Sequence, residues 1–214
     1  MPNENLTEII TVIDRSGSML HIKHDMEGGL KSFINDQAKQ PGEARLSIYT
    51  FDDLYETFCE GAELSAVNDF ALVPRNRTAL FDAIGHTINA VGIRLAALAE
   101  SDRPGKVVVI IITDGHENAS KEFTLKQISE MVTHQSTKYS WQFAFLGANI
   151  DSFAAGGSLG VSRASTMNYA PTKRGTEVMF DALNAGMSTY RSVKTANASL
   201  SLQAEDDTDT KKEI

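Results

Sequence analysis

The chain has 214 residues, of which 42% are hydrophobic and 22% charged, and this composition suits one compact domain with a substantial core. Its 28 acidic and 20 basic side chains give a formal net charge of −8, which excludes the global positive field that holds a nucleic acid. The single cysteine, Cys59, excludes an internal disulfide and any zinc site built from several thiolates.

The sequence also indicates where the protein works. Its longest uninterrupted aliphatic run, residues 107–112, is far shorter than the roughly 18 residues that cross a bilayer. The first ten residues, MPNENLTEII, contain neither a basic leader nor an apolar segment, as a signal peptide would. We therefore expect a cytoplasmic protein with no membrane partner.

Two kinds of hydrophobic pattern alternate along the chain. Runs rich in β-branched residues predict strands, and apolar residues spaced three and four apart predict helices. In chain order the predicted strands cover residues 8–13, 45–51, 54–58, 106–113 and 141–147, and the predicted helices cover residues 20–39, 78–100, 124–135, 152–159 and 172–191. A long surface loop is predicted over residues 61–77.

The order of these elements predicts the fold class. Alternating strands and helices are typical of an α/β protein with right-handed crossovers, here a doubly wound, Rossmann-like and mostly parallel sheet flanked by helices. Residues 106–113 are apolar throughout, as expected of a central strand that helices cover on both sides. Residues 45–51 and 54–58 flank a tight turn and predict an antiparallel strand at one edge.

Polar side chains follow the first strand and the predicted central strand. Ligands of open α/β sheets bind beyond the carboxyl ends of the strands, so Asp14 and Asp114 should be neighbours there. Ser16 and Ser18 follow Asp14 at alternate positions around Gly17, which lets the loop turn sharply. Carboxylates and hydroxyls suit Mg²⁺ or Mn²⁺, whereas the lack of clustered Cys or His argues against zinc.

Three motifs in this order resemble von Willebrand factor type A (VWA) domains. Residues 14–19, DRSGSM, resemble the D-x-S-G-S signature at the end of the first strand of that family. The family has a threonine at the start of a helix in mid-domain, where Thr78 stands. It has a T-D-G sequence after the central strand, which residues 113–115 match. The resemblance spans residues 6–192 and implies the VWA fold for this domain.

The resemblance also implies a site and a function. Ser16, Ser18 and Thr78 would bind a metal through hydroxyls, and Asp14 and Asp114 directly or through water, forming a metal-ion-dependent adhesion site (MIDAS). This implies a non-enzymatic interaction module in which an Asp or Glu of a partner protein completes the coordination of Mg²⁺ or Mn²⁺.

Two features near these motifs are specific to this chain. Many family members have glycines before the threonine, whereas Arg75 and Arg77 stand here, and we expect them to grip carboxylates of the partner. The alternative is that they pair with surface acids such as Asp52 or Asp53. Residues 116–120, HENAS, resemble the small stand-alone bacterial and phage members, which favours an intracellular microbial protein.

Other interpretations of the same residues remain open. The aspartates and Thr78 could be helix N-caps, with the serines making turn hydrogen bonds. The metal could be structural, in an assembly subunit, or could serve a metal-dependent hydrolase, although no base or nucleophile is evident. Residues 156–160 match the G-x-S-x-G motif of serine hydrolases, but no histidine follows them. His21 and His24, one helical turn apart, could chelate a metal but are more simply surface residues.

The carboxyl-terminal end differs in composition from the rest. Residues 193–214 are polar, lack aromatic side chains and end in EDDTDTKKEI. Such a segment has too little apolar surface to offset the entropy of ordering. We expect a disordered acidic tail.

Overall fold

The computed structural model of the protein describes residues 1–193 and 198–202. The strands in this part are β1 (Asn3–Asp14), β2 (Glu43–Phe51), β3 (Tyr55–Glu63), β4 (Pro104–Thr113), β5 (Gln142–Gly147) and β6 (Thr166–Asn168). The α-helices are α1 (Lys23–Ala38), α2 (Leu80–Ala97), α3 (Leu125–Tyr139), α4 (Ser152–Ser158) and α5 (Lys173–Ser192). Short 3₁₀ helices cover Gly17–Ile22, Leu64–Ala66, Glu100–Asp102 and Arg163–Ser165.

The strands form one sheet in the order β3-β2-β1-β4-β5-β6. All neighbouring strands pair in parallel except β2 and β3, which form an antiparallel hairpin at the edge. The strand order reverses direction between β1 and β4, and such a switch point is where ligands bind in open α/β sheets. The predicted doubly wound sheet with one antiparallel edge strand is therefore confirmed.

Helices cover both faces of the sheet. Because successive side chains of a strand point to opposite faces, Ile9 and Ile13 of β1 pack in one apolar cluster and Ile10 and Val12 in another. The first cluster contains the buried faces of α1 and α5, and the second those of α2 and α3. Burial on both faces explains the continuous apolar sequence of β1 and β4.

The predicted and observed elements differ mainly in their lengths. Helix α2 begins at Leu80 rather than at residue 78, which leaves Thr78 in the preceding loop. Strand β6 has only three residues, too few for a hydrophobic period, so no local pattern predicts its position. In the described residues, no helix combines the length and apolar character that crossing a bilayer requires.

The predicted tail is corrected in part. Leu200 and Leu202, expected to be disordered, are buried in the same cluster as α1 and α5. The Leu202 amide donates to the Ala164 carbonyl at 2.8 Å, and Ser165 Oγ donates to the Leu200 carbonyl at 2.6 Å. Residues 198–202 thus lie on the domain through two buried leucines and these hydrogen bonds. Residues 194–197 and 203–214, the rest of the predicted tail, lie outside the described residues.

Candidate metal centre

The loops after β1 and β4 meet at the switch point of the sheet. The parallel pairing of Ile13 with Ile112 brings Asp14 beside Thr113, whose hydroxyl donates to Asp14 Oδ2 at 2.6 Å. The Ser16 amide donates to the other carboxylate oxygen, Oδ1, also at 2.6 Å. These two bonds fix the orientation of the Asp14 carboxylate at the base of the loop.

The two serine hydroxyls link this loop to the carboxyl end of β4. Ser16 Oγ and Ser18 Oγ lie 3.1 Å apart, and Ser18 Oγ donates to Asp114 Oδ1 at 2.5 Å. Adjacent oxygens around an octahedral Mg²⁺, each about 2.1 Å from the ion, are roughly 3.0 Å apart. The separation of the serine hydroxyls therefore suits two neighbouring ligands of one ion.

Thr78 reaches the same place from the loop before α2. A Cβ atom at Gly115 would lie 3.5 Å from Thr78 Oγ1 and 3.8 Å from Ser18 Oγ, so both hydroxyls border this glycine. The Thr78 amide donates to Asn118 Oδ1 at 3.0 Å, which ties the loop before α2 to the segment after β4. The structure thus brings together all five predicted site residues.

These residues are not helix caps. The N-cap position of α2 is Ala79 rather than Thr78, and the first-turn amides of Phe81 and Asp82 donate instead to Glu117 and Ser120. The 3₁₀ helix after Ser16 also begins without a side-chain cap. Elsewhere the chain does use such caps, at Thr124 of α3 and Thr172 of α5. The cap alternative therefore does not explain these positions, although Asp14 does accept a turn hydrogen bond.

The two aspartates are buried, and neither forms an ion pair among the described residues. Burial is the main cause that raises the pKa of Asp14 to about 6, and the nearby Asp114 raises it further, whereas hydrogen bonds from Thr113 and Ser16 lower it. Burial also raises the pKa of Asp114. Asp114 Oδ2 has no hydrogen-bond partner among the described residues. A buried oxygen of this kind is costly unless something else pairs with it.

The donor set fits a hard divalent cation. Residues 1–193 and 198–202 contain no group of three or more His, Cys, Asp or Glu side chains placed to hold a metal. The candidate site instead combines two carboxylates with three hydroxyls, and oxygen ligands of this kind suit Mg²⁺ or Mn²⁺. The unpartnered Asp114 Oδ2 and the hydroxyl spacing both accord with a cation at this point.

The two arginines differ in their surroundings. Arg75 Nε donates to Asp52 Oδ2 and its Nη2 to Glu56 Oε1, each at 2.6 Å. These ion pairs favour the alternative interpretation for Arg75, because its guanidinium is already bound to carboxylates. Arg77 is exposed and forms no ion pair within the described part of the chain. Its predicted role toward a partner stays a prediction.

The other candidate motifs do not form sites. His24 is exposed beside Glu27, and His21 is exposed in the 3₁₀ helix, as the surface interpretation expects. Residues 156–160 end α4, where Gly160 adopts a positive φ of 88°, instead of forming a turn between a strand and a helix. This geometry is not that of a nucleophile elbow.

The sequence did not reveal how the site loops are held: Asp52 entered only as an alternative partner of the arginines, and Glu117 was not identified. Asp52 is fully buried, and its carbonyl accepts from the Ala79 amide at 2.8 Å. Glu117 accepts from the Phe81 amide at the start of α2. Both act across long sequence separations, and no local pattern in the sequence signals them.

Comparisons with known proteins identify the fold. No family model and no curated protein matches the chain. Among solved structures, it is similar to proximal thread matrix protein 1 from the mussel byssus, in a structure with a zinc-occupied MIDAS motif. That match has 15% identity, a TM-score of 0.61, and covers 85% of this chain and 46% of that one.

Two microbial structures are also similar. The ArnB paralog VWA2 from Sulfolobus acidocaldarius has 18% identity and a TM-score of 0.53, with 86% of this chain and 44% of that one covered. The von Willebrand factor type A protein from Catenulispora acidiphila has 13% identity and a TM-score of 0.57, with 86% and 43% covered. The chain thus spans less than half the length of these three proteins. With the sheet order and the motif residues, these likenesses show that the chain has the von Willebrand factor type A fold.

Proposed function

We propose that this protein is a metal-dependent interaction module that binds Mg²⁺ or Mn²⁺ and engages an acidic residue of a partner protein. The observation that carries the proposal is the convergence of three hydroxyls on two buried carboxylates, neither of which forms an ion pair in the described part of the chain. The ligands we propose are Asp14, Ser16, Ser18, Thr78 and Asp114. The zinc-occupied MIDAS motif of the mussel protein supports a divalent cation at the equivalent edge of this fold.

The surface around the proposed cation supports a protein partner. Leu20, Leu54 and Val73 are large apolar side chains with exposed fractions of 66%, 56% and 58%. Leu20 lies in the 3₁₀ helix that contains Ser18, Val73 in the loop before Thr78, and Leu54 in the turn of the β2–β3 hairpin. Exposed apolar side chains grouped with a polar centre mark interaction surfaces. Arg77 adds an exposed positive charge there, which attracts an acidic partner.

The proposed chemistry is coordination rather than catalysis. Two carboxylates balance the charge of a divalent ion, but a carboxylate that binds through water leaves the inner shell short of anionic oxygen. A partner's Asp or Glu would then supply it. We propose no enzyme activity, no nucleic-acid partner and a cytoplasmic location. The rival proposal, a structural metal in an assembly subunit, predicts that metal removal lowers stability without releasing a partner.

Capture of partners from native extract tests this function. Binding should be retained in Mg²⁺, lost in EDTA and lost in Asp114→Ala, and acetate or glutamate at high concentration should compete. Arg77→Glu should weaken capture more than the matched variant Arg77→Ala, because the glutamate repels an acidic ligand. Capture that persists fully in EDTA and does not change in Arg77→Glu would contradict the proposal.

A further inference from the structure

Four charged side chains form a cluster beside the candidate metal centre, which we call the arginine brace: Arg15, Arg75, Asp52 and Glu56. Arg15 belongs to the loop that carries the serine ligands, and Arg75 to the loop that carries Thr78. The two carboxylates belong to the turn and outer strand of the β2–β3 hairpin. The cluster therefore joins three separate segments of the chain.

Both arginines bind both carboxylates. Asp52 is fully buried, and it receives Arg75 Nε at 2.6 Å and Arg15 Nη2 at 3.5 Å. Glu56 receives Arg75 Nη2 at 2.6 Å on one oxygen and Arg15 Nη1 on the other. The Arg15 side chain is only 5% exposed, so its charge depends on these partners. The hydrogen bond from Arg15 is the largest cause that lowers the pKa of Glu56 to about 2.

Backbone hydrogen bonds join two of these three segments, the loops of Arg15 and Arg75. The Arg75 amide donates to the Arg15 carbonyl at 2.8 Å, and the Gly17 amide donates to the Asn76 carbonyl at 3.3 Å. Asn76 has a positive φ of 58°, which redirects the chain between Arg75 and the threonine ligand. The side chains of the brace thus reinforce a junction that the backbone also makes.

The hydroxyl ligands have no such direct link. Among the described residues, no hydrogen bond connects the Thr78 hydroxyl with Ser16 or Ser18. Their relative position depends on how the two loops are held together. The brace does this next to the site, and its two positive and two negative charges cancel, so the arginines do not repel a nearby cation.

We propose that the arginine brace positions the hydroxyl ligands, so that Asp52 and Glu56 control metal affinity without touching the metal. This inference rests on the proposed metal binding. Groups that orient metal ligands typically change affinity about 10- to 100-fold when they are removed. The brace also gives Arg75 a structural role, because its ion pairs hold the loop before α2 against the hairpin.

The test compares Mn²⁺ binding by isosteric variants of the brace and of two control ion pairs. Asp52→Asn is matched by Glu8→Gln, because Glu8 is also a buried carboxylate. Glu8 lies on β1, six residues before Asp14, and forms an ion pair with Arg94. Glu56→Gln is matched by Glu63→Gln, which removes the exposed pair with Arg45 at the other end of β3. Affinity is measured by calorimetry, and water-proton relaxation reports how many waters remain on the bound Mn²⁺.

We expect Asp52→Asn to bind Mn²⁺ about 10- to 100-fold more weakly and Glu56→Gln severalfold more weakly, while both controls keep wild-type affinity. Bound Mn²⁺ should carry more water in the brace variants because a hydroxyl ligand is displaced, an effect that a loss of fold stability alone does not produce. If Asp52→Asn does not fold, the result for Glu56→Gln decides whether the brace positions the ligands, because the Glu56 side chain is half-exposed.

Two results would contradict the proposals in different ways. Wild-type affinity and unchanged relaxation in the folded brace variants would overturn the positioning role and leave the proposed function intact. A wild-type protein that binds no Mn²⁺ would overturn the proposed function, and the positioning role with it.

Discussion

Among single residues, Asp14 and Asp114 determine the electrostatics of the proposed metal centre. Both carboxylates are at most 2% exposed, and neither has an ion-pair partner in the part of the chain that the structure describes. A protein interior disfavours unpaired charge, so the raised pKa of Asp14 reflects a cost that a bound cation would remove. Metal binding and proton binding therefore compete for this carboxylate.

Metal affinity should consequently fall in mild acid. With the pKa of metal-free Asp14 near 6, most molecules hold its carboxylate ionised at pH 7 and protonated at pH 5. Mn²⁺ affinity measured by calorimetry should drop about tenfold between these values. Thr113→Val removes a hydrogen bond that lowers this pKa, so its profile should shift to higher pH. Equal affinity at pH 5 and pH 7 would contradict the role given to Asp14.

The sequence predicted which polar residues lie together at the switch point of the sheet, but not the residues that hold their loops. Asp14 and Asp114 could be placed together because each directly follows a predicted buried strand. The three hydroxyls could be added because their order resembles a known motif. The role of Arg75 could only be stated as an alternative, since its partners lie 19 and 23 residues away. Ion pairs at that distance depend on how the hairpin packs, which a local pattern does not encode.

At the scale of elements, β4 determines whether the site forms at all. It lies between β1 and β5, and its residues from Val108 to Ile112 are fully buried. Because both faces are covered, the strand could be recognised as central from its sequence alone. Two other parts of the fold were harder to predict from the sequence. Strand β6 is too short to show a hydrophobic pattern, and residues 198–202 pack through only two leucines.

Two substitutions on β4 and at its end should separate folding from binding. Val109→Asp places an unpaired charge in the core and should leave the protein largely unfolded or insoluble. Asp114→Ala removes a carboxylate at the end of the strand and should stay folded, with loss of metal binding. Circular dichroism melts measure the difference. Similar melts for the two variants would be inconsistent with the central position of this strand.

At the scale of the whole molecule, a site shared by the loops after β1 and β4 and before α2 couples metal binding to the fold. A ligand that binds only the folded state stabilises it by about 2.7 kcal/mol at a hundred times its dissociation constant. Mg²⁺ should therefore raise the melting temperature of the wild type and not that of Asp114→Ala, in scanning calorimetry at pH 7. An equal rise in both proteins would place the ion elsewhere.

The central claim is that three hydroxyls and two carboxylates bind one divalent cation. Calorimetric titration with Mn²⁺ of the wild type and of Ser16→Ala/Thr78→Ala tests it most directly, because the double variant removes one hydroxyl from each loop and leaves both carboxylates in place. We expect one Mn²⁺ per wild-type chain and a loss of most of that affinity in the double variant. Undiminished binding by the double variant would contradict it.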